Sequence, residues 1–232
     1  MKRQSAIIGF ALFAVVVLLL GGCASSYQAR SMELKETMLV NPAILTRGTG
    51  DQALYRYKNP DTKDRWYTKI LVDPVLLKKS AELDAETLAN YQKLANNAYF
   101  YLVQELQNDF QIVKSPEPET LRIQLAILDV DPSSKVRNIM SSVMPIGIGI
   151  SAIKGASTGK QTGVGEITVE FKLSDAMTGE LLGAAVDRRV GGKAAGGMFD
   201  SWHNADESLK YWAKRVRYVM CMEGNRANCV KP

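Results

Sequence analysis

Histidine is almost missing from this 232-residue chain; His203 is the only one. A metal site built on imidazoles is therefore excluded, and a Ser-His-Asp triad would have to run through that single ring. Its place beside Trp202 reads instead as a local contact at a helix entry. Cysteine is nearly as scarce, at three: Cys23, Cys221 and Cys229. No apolar run reaches the ~20 residues of a membrane-crossing helix. The longest, residues 6–20, stops at Gly21-Gly22. A phosphate-binding loop is also lacking. Gly155 and Gly159-Lys160 have three residues between the glycines instead of four, and Gln161 stands where a hydroxyl would hold magnesium. Strong charge of either sign is absent, since the formal net charge is +5. That is too mild to indicate nucleic acid as a partner. Asp129 and Asp131, the one close carboxylate pair weighed for acid/base or cation chemistry, precede Pro132 and read as a turn. No catalytic residue, metal or cofactor is expected, and the chain is not expected to be an enzyme.

What the chain does have is a leader. Lys2 and Arg3 precede the apolar run, which ends in Leu20-Gly21-Gly22-Cys23. Charged start, short apolar core and small residues at the exit make a secretory signal. The cysteine after the small pair is similar to bacterial lipoprotein signals. That likeness implies cleavage before Cys23 and acylation of its thiol; an uncleaved anchor or an unmodified export signal is the alternative. Ala24, rather than an Asp, follows the cysteine, which implies sorting to the outer membrane, on its periplasmic side. Removing residues 1–22 takes Lys2 and Arg3 with it, so +5 becomes +3 over 210 residues, enough for one domain with a sizeable core. If Cys23 carries lipid, Cys221 and Cys229 remain, eight positions apart in an oxidising compartment. A disulfide between them would contribute roughly 2–3 kcal/mol at most; two free thiols in a frayed tail are the other reading.

Residues 23–37 are small and polar and read as the lipidated end and a flexible tether. Residues 38–65 are broken by Asn41-Pro42, Gly48, Gly50 and Asn59-Pro60 and read as an extended arm. Residues 66–232 read as the periplasmic domain. Trp66 to Val72 is a strand by composition. Leu88, Tyr91, Ala95, Ala98, Leu102 and Leu106 follow steps of three and four behind Asp84, an N-cap. Alternation predicts strands from Leu121, from Ile167 and from Leu181, the last two joined by a turn at Thr178-Gly179. A final helix presents Trp202, Ala205, Leu209, Trp212 and Val216, with Asn204 and Glu207 as its capping box. The expected fold is α+β: a two-layer sandwich in which two helices cover a small, mostly antiparallel sheet.

Several of these pieces occur together in a known order: the lipobox cysteine, Pro42 with Leu45, Tyr55-Arg56-Tyr57, Leu71-Val72-Asp73-Pro74-Val75, Asp175 with Thr178-Gly179-Glu180, Asp187-Arg188-Arg189 with Gly191, and Trp202 with Trp212-Ala213. In this the chain resembles the bacterial outer-membrane lipoprotein family filed as domain of unknown function 3313. The resemblance implies a compartment and a fold, and no activity.

Two stretches stand out as candidate sites. Ile146, Gly147, Ile148, Gly149 and Ile150 belong to an apolar, glycine-spaced segment. Such a segment mediates self-association into a homo-oligomer, inserts partly into membrane, or is a buried crossover. Arg188 and Arg189 are candidates for binding an anion, against simple pairing with Glu166 or Glu170. The function expected is therefore a lipid-anchored envelope protein that acts through protein partners in outer-membrane maintenance or assembly. The alternative is a module that binds an anionic envelope ligand, lipid or cell-wall polymer.

Overall fold

Alternating side chains build the centre of the molecule. The computed structural model describes residues 26–30, 32–34, 36–62, 65–79, 84–131, 142–145, 166–191, 201–224 and 226–232. In chain order its strands and helices are β1 (Ser26–Gln28), β2 (Thr46–Arg47), β3 (Tyr55–Lys58), β4 (Lys69–Val72), β5 (Leu76–Lys79), α1 (Ala85–Leu106), β6 (Gln111–Val113), β7 (Thr120–Asp131), β8 (Ser142–Pro145), β9 (Glu166–Asp175), β10 (Leu181–Gly191) and α2 (Ser201–Glu223). Leu121, Ile123, Leu125 and Ile127 of β7 lie in register with Asp175, Leu173, Phe171 and Val169 of β9. They form one face of the sheet, and the two helices pack on it.

The small, mostly antiparallel sheet that the sequence suggested is instead a large mixed one. Among the described residues ten strands share it, in the order β2-β3-β10-β9-β7-β4-β6, with β1 added on β10, β5 on β7 and β8 on β5. β4 runs parallel to β6 and β7, and β5 runs parallel to β7. The parallel pairs follow from the strand–helix–strand crossover through α1, which returns the chain in its original direction. The size was hidden because β1, β2, β3, β5 and β8 hold only two to four residues each. Runs that short carry no readable alternation. Asp129 and Asp131, expected in a turn, belong to β7 and pair with Thr168 and Glu166.

The helix layer closes as its spacing requires. The Asp84 carboxylate accepts the Thr87 amide at 2.7 Å and starts α1. Tyr91, Leu94, Ala95, Ala98, Leu102 and Leu106 are its buried stripe. Ala205, Leu209, Trp212 and Ala213 are the buried side of α2. The helices are joined by Asp206, which accepts from Asn97 at 2.6 Å and from the Tyr101 hydroxyl at 2.9 Å. Burial, and then the hydrogen bond that it gives Asp206, push the Tyr101 phenol up to about 12. Tyr91 meets Trp202 edge to face, centroids 5.4 Å apart. Asn204 is no cap: α2 begins at Ser201, and the buried Asn204 carbonyl accepts the Ser208 hydroxyl at 2.9 Å. A disulfide links Cys221 to Cys229, Cα–Cα 5.6 Å, and ties the tail to the end of α2.

The opposite face of the sheet is covered by the N-terminal arm. Ser26, Tyr27 and Gln28 pair with Gly191, Val190 and Arg189, so sheet begins where a tether was expected. Strand addition uses backbone groups, and a polar linker composition does not forbid it. The chain then crosses the sheet. The Tyr55 hydroxyl donates to the Met32 carbonyl at 3.1 Å. Further on, the amides of Met38, Leu39 and Val40 all donate to the Glu170 carboxylate, at 2.6, 3.1 and 3.0 Å. Three successive amides converging on one anion form a nest. Glu170 is fully buried. Burial holds its carboxyl above the ordinary glutamate range, against the pull of the three amides and of Lys172.

Candidate functional site

Seven strands on the main path, spaced ~4.8 Å apart, span roughly 29 Å. Two helices ~10–12 Å across cover at most ~24 Å of that width. α1 lies over β4 and β5, and α2 over β9 and β10. Among the described residues, the two helices thus leave the strip of sheet beyond α2, toward β3, uncovered. Small side chains deepen the gap: Gly183 and Ala185 of β10 point to this face, in register with Leu173 and Phe171. A β-bulge between Leu181 and Gly183 turns Leu182 toward the same space.

The result is a groove of about 780 Å³ along one side of α2. Phe171, Leu173, Leu182, Val216 and Met220 form its floor and inner wall. Trp66, Val219 and Met222 stand at its mouth, exposed by 62%, 39% and 53%. Such a volume and lining are typical of ligand sites.

Charge in the groove is uneven. Its carboxylates are all engaged. Asp187, buried, accepts from Gln28 at 2.6 Å, from the Leu54 amide at 3.1 Å and from the Trp212 indole at 2.8 Å. Glu223 pairs with Lys58. Asp51 pairs with Lys231 at 2.7 Å and with Arg215 at 3.5 Å. Among the cations, Arg65 bridges to Glu180 at 2.6 Å. Arg226 lies over the Phe110 ring at 4.3 Å and donates to the Asp109 carbonyl. Arg56 lines the groove beside Ala185, its register partner, and has no ion pair or side-chain hydrogen bond among the described residues. Nη1 of Arg215, buried, also lacks an acceptor among them.

The residues singled out from sequence do not meet here. Arg188 and Arg189 are consecutive on β10 and so point to opposite faces. Arg188 pairs with Glu166 on the arm side. It lines a shallow cavity of about 550 Å³ over β1 with its charge already met. Arg189 is buried under α2 with its guanidinium 3.6 Å over the Tyr211 ring, and burial draws its pKa down. The two therefore form no joint anion site. Cys23 and Ile146, Gly147, Ile148, Gly149 and Ile150 lie outside the described residues, as does the 155–161 loop. Among the described residues no group of three or more His, Cys, Asp or Glu is placed to hold a metal. Arg56, Trp66 and the groove floor do not stand out in the sequence as a site. Their trace was Gly183-Ala184-Ala185, a run of small residues inside a strand where bulky ones would fill the layer.

Residues 35–216 match the model of a family described as "Protein of unknown function (DUF3313)". The chain belongs to that family. The DUF3313 match takes in the arm, the whole sheet from β2 on, α1 and the first two-thirds of α2. No curated protein matches the chain. Among solved structures, the PelC dodecamer from Paraburkholderia phytofirmans is 13% identical over 67% of this chain and 89% of that one, TM-score 0.37. Protein XCC0632 from Xanthomonas campestris is 7% identical over 72% and 91%, TM-score 0.36. Lipoprotein GNA1162 from Neisseria meningitidis is 10% identical over 67% and 99%, TM-score 0.32. Likenesses this remote say nothing about what a DUF3313 protein binds.

Proposed function

We propose that this DUF3313 chain is an outer-membrane lipoprotein, held by acylated Cys23 on the periplasmic side, that works by binding rather than by catalysis in maintenance or assembly of that membrane. The observation that carries the binding role is the apolar, aromatic-mouthed groove beside α2. The leader ending in Leu20-Gly21-Gly22-Cys23 supports the location, and no described helix is long and apolar enough to cross a membrane. Only Ala24 and Ser25 separate Cys23 from β1, so Ser26 lies within ~11 Å of the anchored residue. The body then rests against the bilayer by its β1 end.

Two measurements test this. Cys23→Ser should move the protein from the membrane pellet to the soluble fraction; undiminished sedimentation refutes the anchor. A photo-cross-linking residue at position 222 should yield adducts in intact cells, and one at Lys172 on the arm side should not. The reverse pattern refutes the groove as the binding surface.

The alternative use of Arg188 and Arg189 for an anionic envelope ligand loses its basis, because the two face opposite sides. A cation with no partner among the described residues, Arg56, does line the groove, and it narrows the choice of ligand.

A further inference from the structure

We propose that the groove beside α2 holds one anionic amphiphile, an acyl chain ending in a phosphate or carboxylate, with Arg56 meeting the charged head. The inference rests on the groove being the binding surface named above.

Three observations carry it. First, the floor and inner wall, Phe171, Leu173, Leu182, Val216 and Met220, are apolar, and the charged residues stand around them. From Asp187 to Leu182 the β10 floor runs ~17 Å, the reach of a medium acyl chain. Second, the backbone beneath offers nothing to a peptide. β10 is hydrogen-bonded to β3 on one side and to β9 on the other, so a peptide laid in the groove would bury amides without partners. An acyl chain has none to bury. Third, the charge balance calls for an anion. Every groove carboxylate is engaged, while Arg56 has no partner among the described residues, and Arg215 has a buried Nη1 without an acceptor. A guanidinium beside an apolar channel is matched by a phosphate or carboxylate head, which accepts its N–H groups bidentately.

The test uses the chain from residue 23 on, with serine in place of Cys23, which contains every described residue of the fold. Isothermal titration with dodecyl phosphate, below its micelle concentration, should show saturable binding at one site per chain, with a change in tryptophan fluorescence from Trp66. Dodecyltrimethylammonium and inorganic phosphate should show none; these arms separate recognition of the anionic head from indiscriminate apolar adsorption and from a free-anion site. Arg56→Gln should weaken binding roughly tenfold. Ala185→Leu, which fills the floor beside Arg56, should abolish it. Circular dichroism confirms that each variant is folded, and Arg56→Gln on the half-exposed β3 serves if Ala185→Leu fails to fold. Equal binding of the ammonium amphiphile, binding of inorganic phosphate alone, or dodecyl phosphate affinity unchanged by Arg56→Gln overturns the proposal. If dodecyl phosphate does not bind but position 222 still cross-links a protein in cells, the occupant is a protein and this inference falls while the groove reading stands. If neither occurs, both fall.

Discussion

The two faces of this sheet are closed by different physics. On the helix side Ile70, Ile123, Val169 and Leu106 are fully buried in a continuous aliphatic layer. That closure is dispersive, spread over many contacts, and yet incomplete, because two helices do not span the strands. On the arm side a thin irregular segment covers the sheet, and one buried carboxylate, Glu170, collects three of its amides. That closure is concentrated in one group and is complete enough to bury Ala126, Val186 and Ser174. A distributed layer tolerates a gap; a nest around one anion does not. The face with the gap carries the groove proposed above as the binding surface.

The contrast can be broken first on the helix side. Ile123→Ala, at a fully buried position, should cost about 3–4 kcal/mol and loosen the whole body, read as a lower urea midpoint by circular dichroism. Glu170→Gln should cost somewhat less, about 2–3 kcal/mol, because an amide group turns donors toward donors. Limited proteolysis should then cut the arm near residues 38–40 while the helices stay intact. Equal loosening of both faces by Glu170→Gln contradicts the division.

Titration sharpens the contrast in sign. The raised Glu170 pKa means that the folded state holds the proton more tightly than the unfolded chain does. Its ionisation therefore removes stability as pH rises from the ordinary glutamate value through the raised one. Wild type should gain stability relative to Glu170→Gln as pH falls through that window. Asp175, in the hairpin, behaves oppositely. Burial pushes it up, but the amide and hydroxyl of Thr178, the Met177 amide and Tyr67 hold it below the ordinary range. Its contribution is present above the ordinary aspartate value and is lost as pH falls through the depressed one. Urea midpoints of wild type, Glu170→Gln and Asp175→Asn across the acid range check both signs.

The smallest effect belongs to the groove rim. Lys58→Met removes an exposed pair with Glu223 and should shift stability by no more than ~0.5 kcal/mol. A large loss there would mean that the rim is structural and the groove closed in solution.

Legibility followed the same division. α1, α2, β7, β9 and β10 were readable, because burying one face imposes a period on the sequence. The short strands were not. β1 is Ser-Tyr-Gln and β2 is Thr-Arg; they join the sheet by backbone hydrogen bonds, which leave no mark on composition. The sheet was underestimated for that reason, and the parallel pairs with it. Glu170 was invisible in another way. It sits in β9 at an alternating polar position, like a solvent-facing residue, and only a segment 130 residues earlier makes it a core group. The groove was hidden because a space is defined by what is missing, here the side chains of Gly183 and Ala185.

Hydrogen exchange of the Met38, Leu39 and Val40 amides tests most directly whether one carboxylate shuts the arm face. The account predicts slow exchange at all three in wild type and fast exchange in Glu170→Gln, with the core of α1 unchanged. Fast exchange at these amides in wild type, or protection that survives Glu170→Gln, would contradict it.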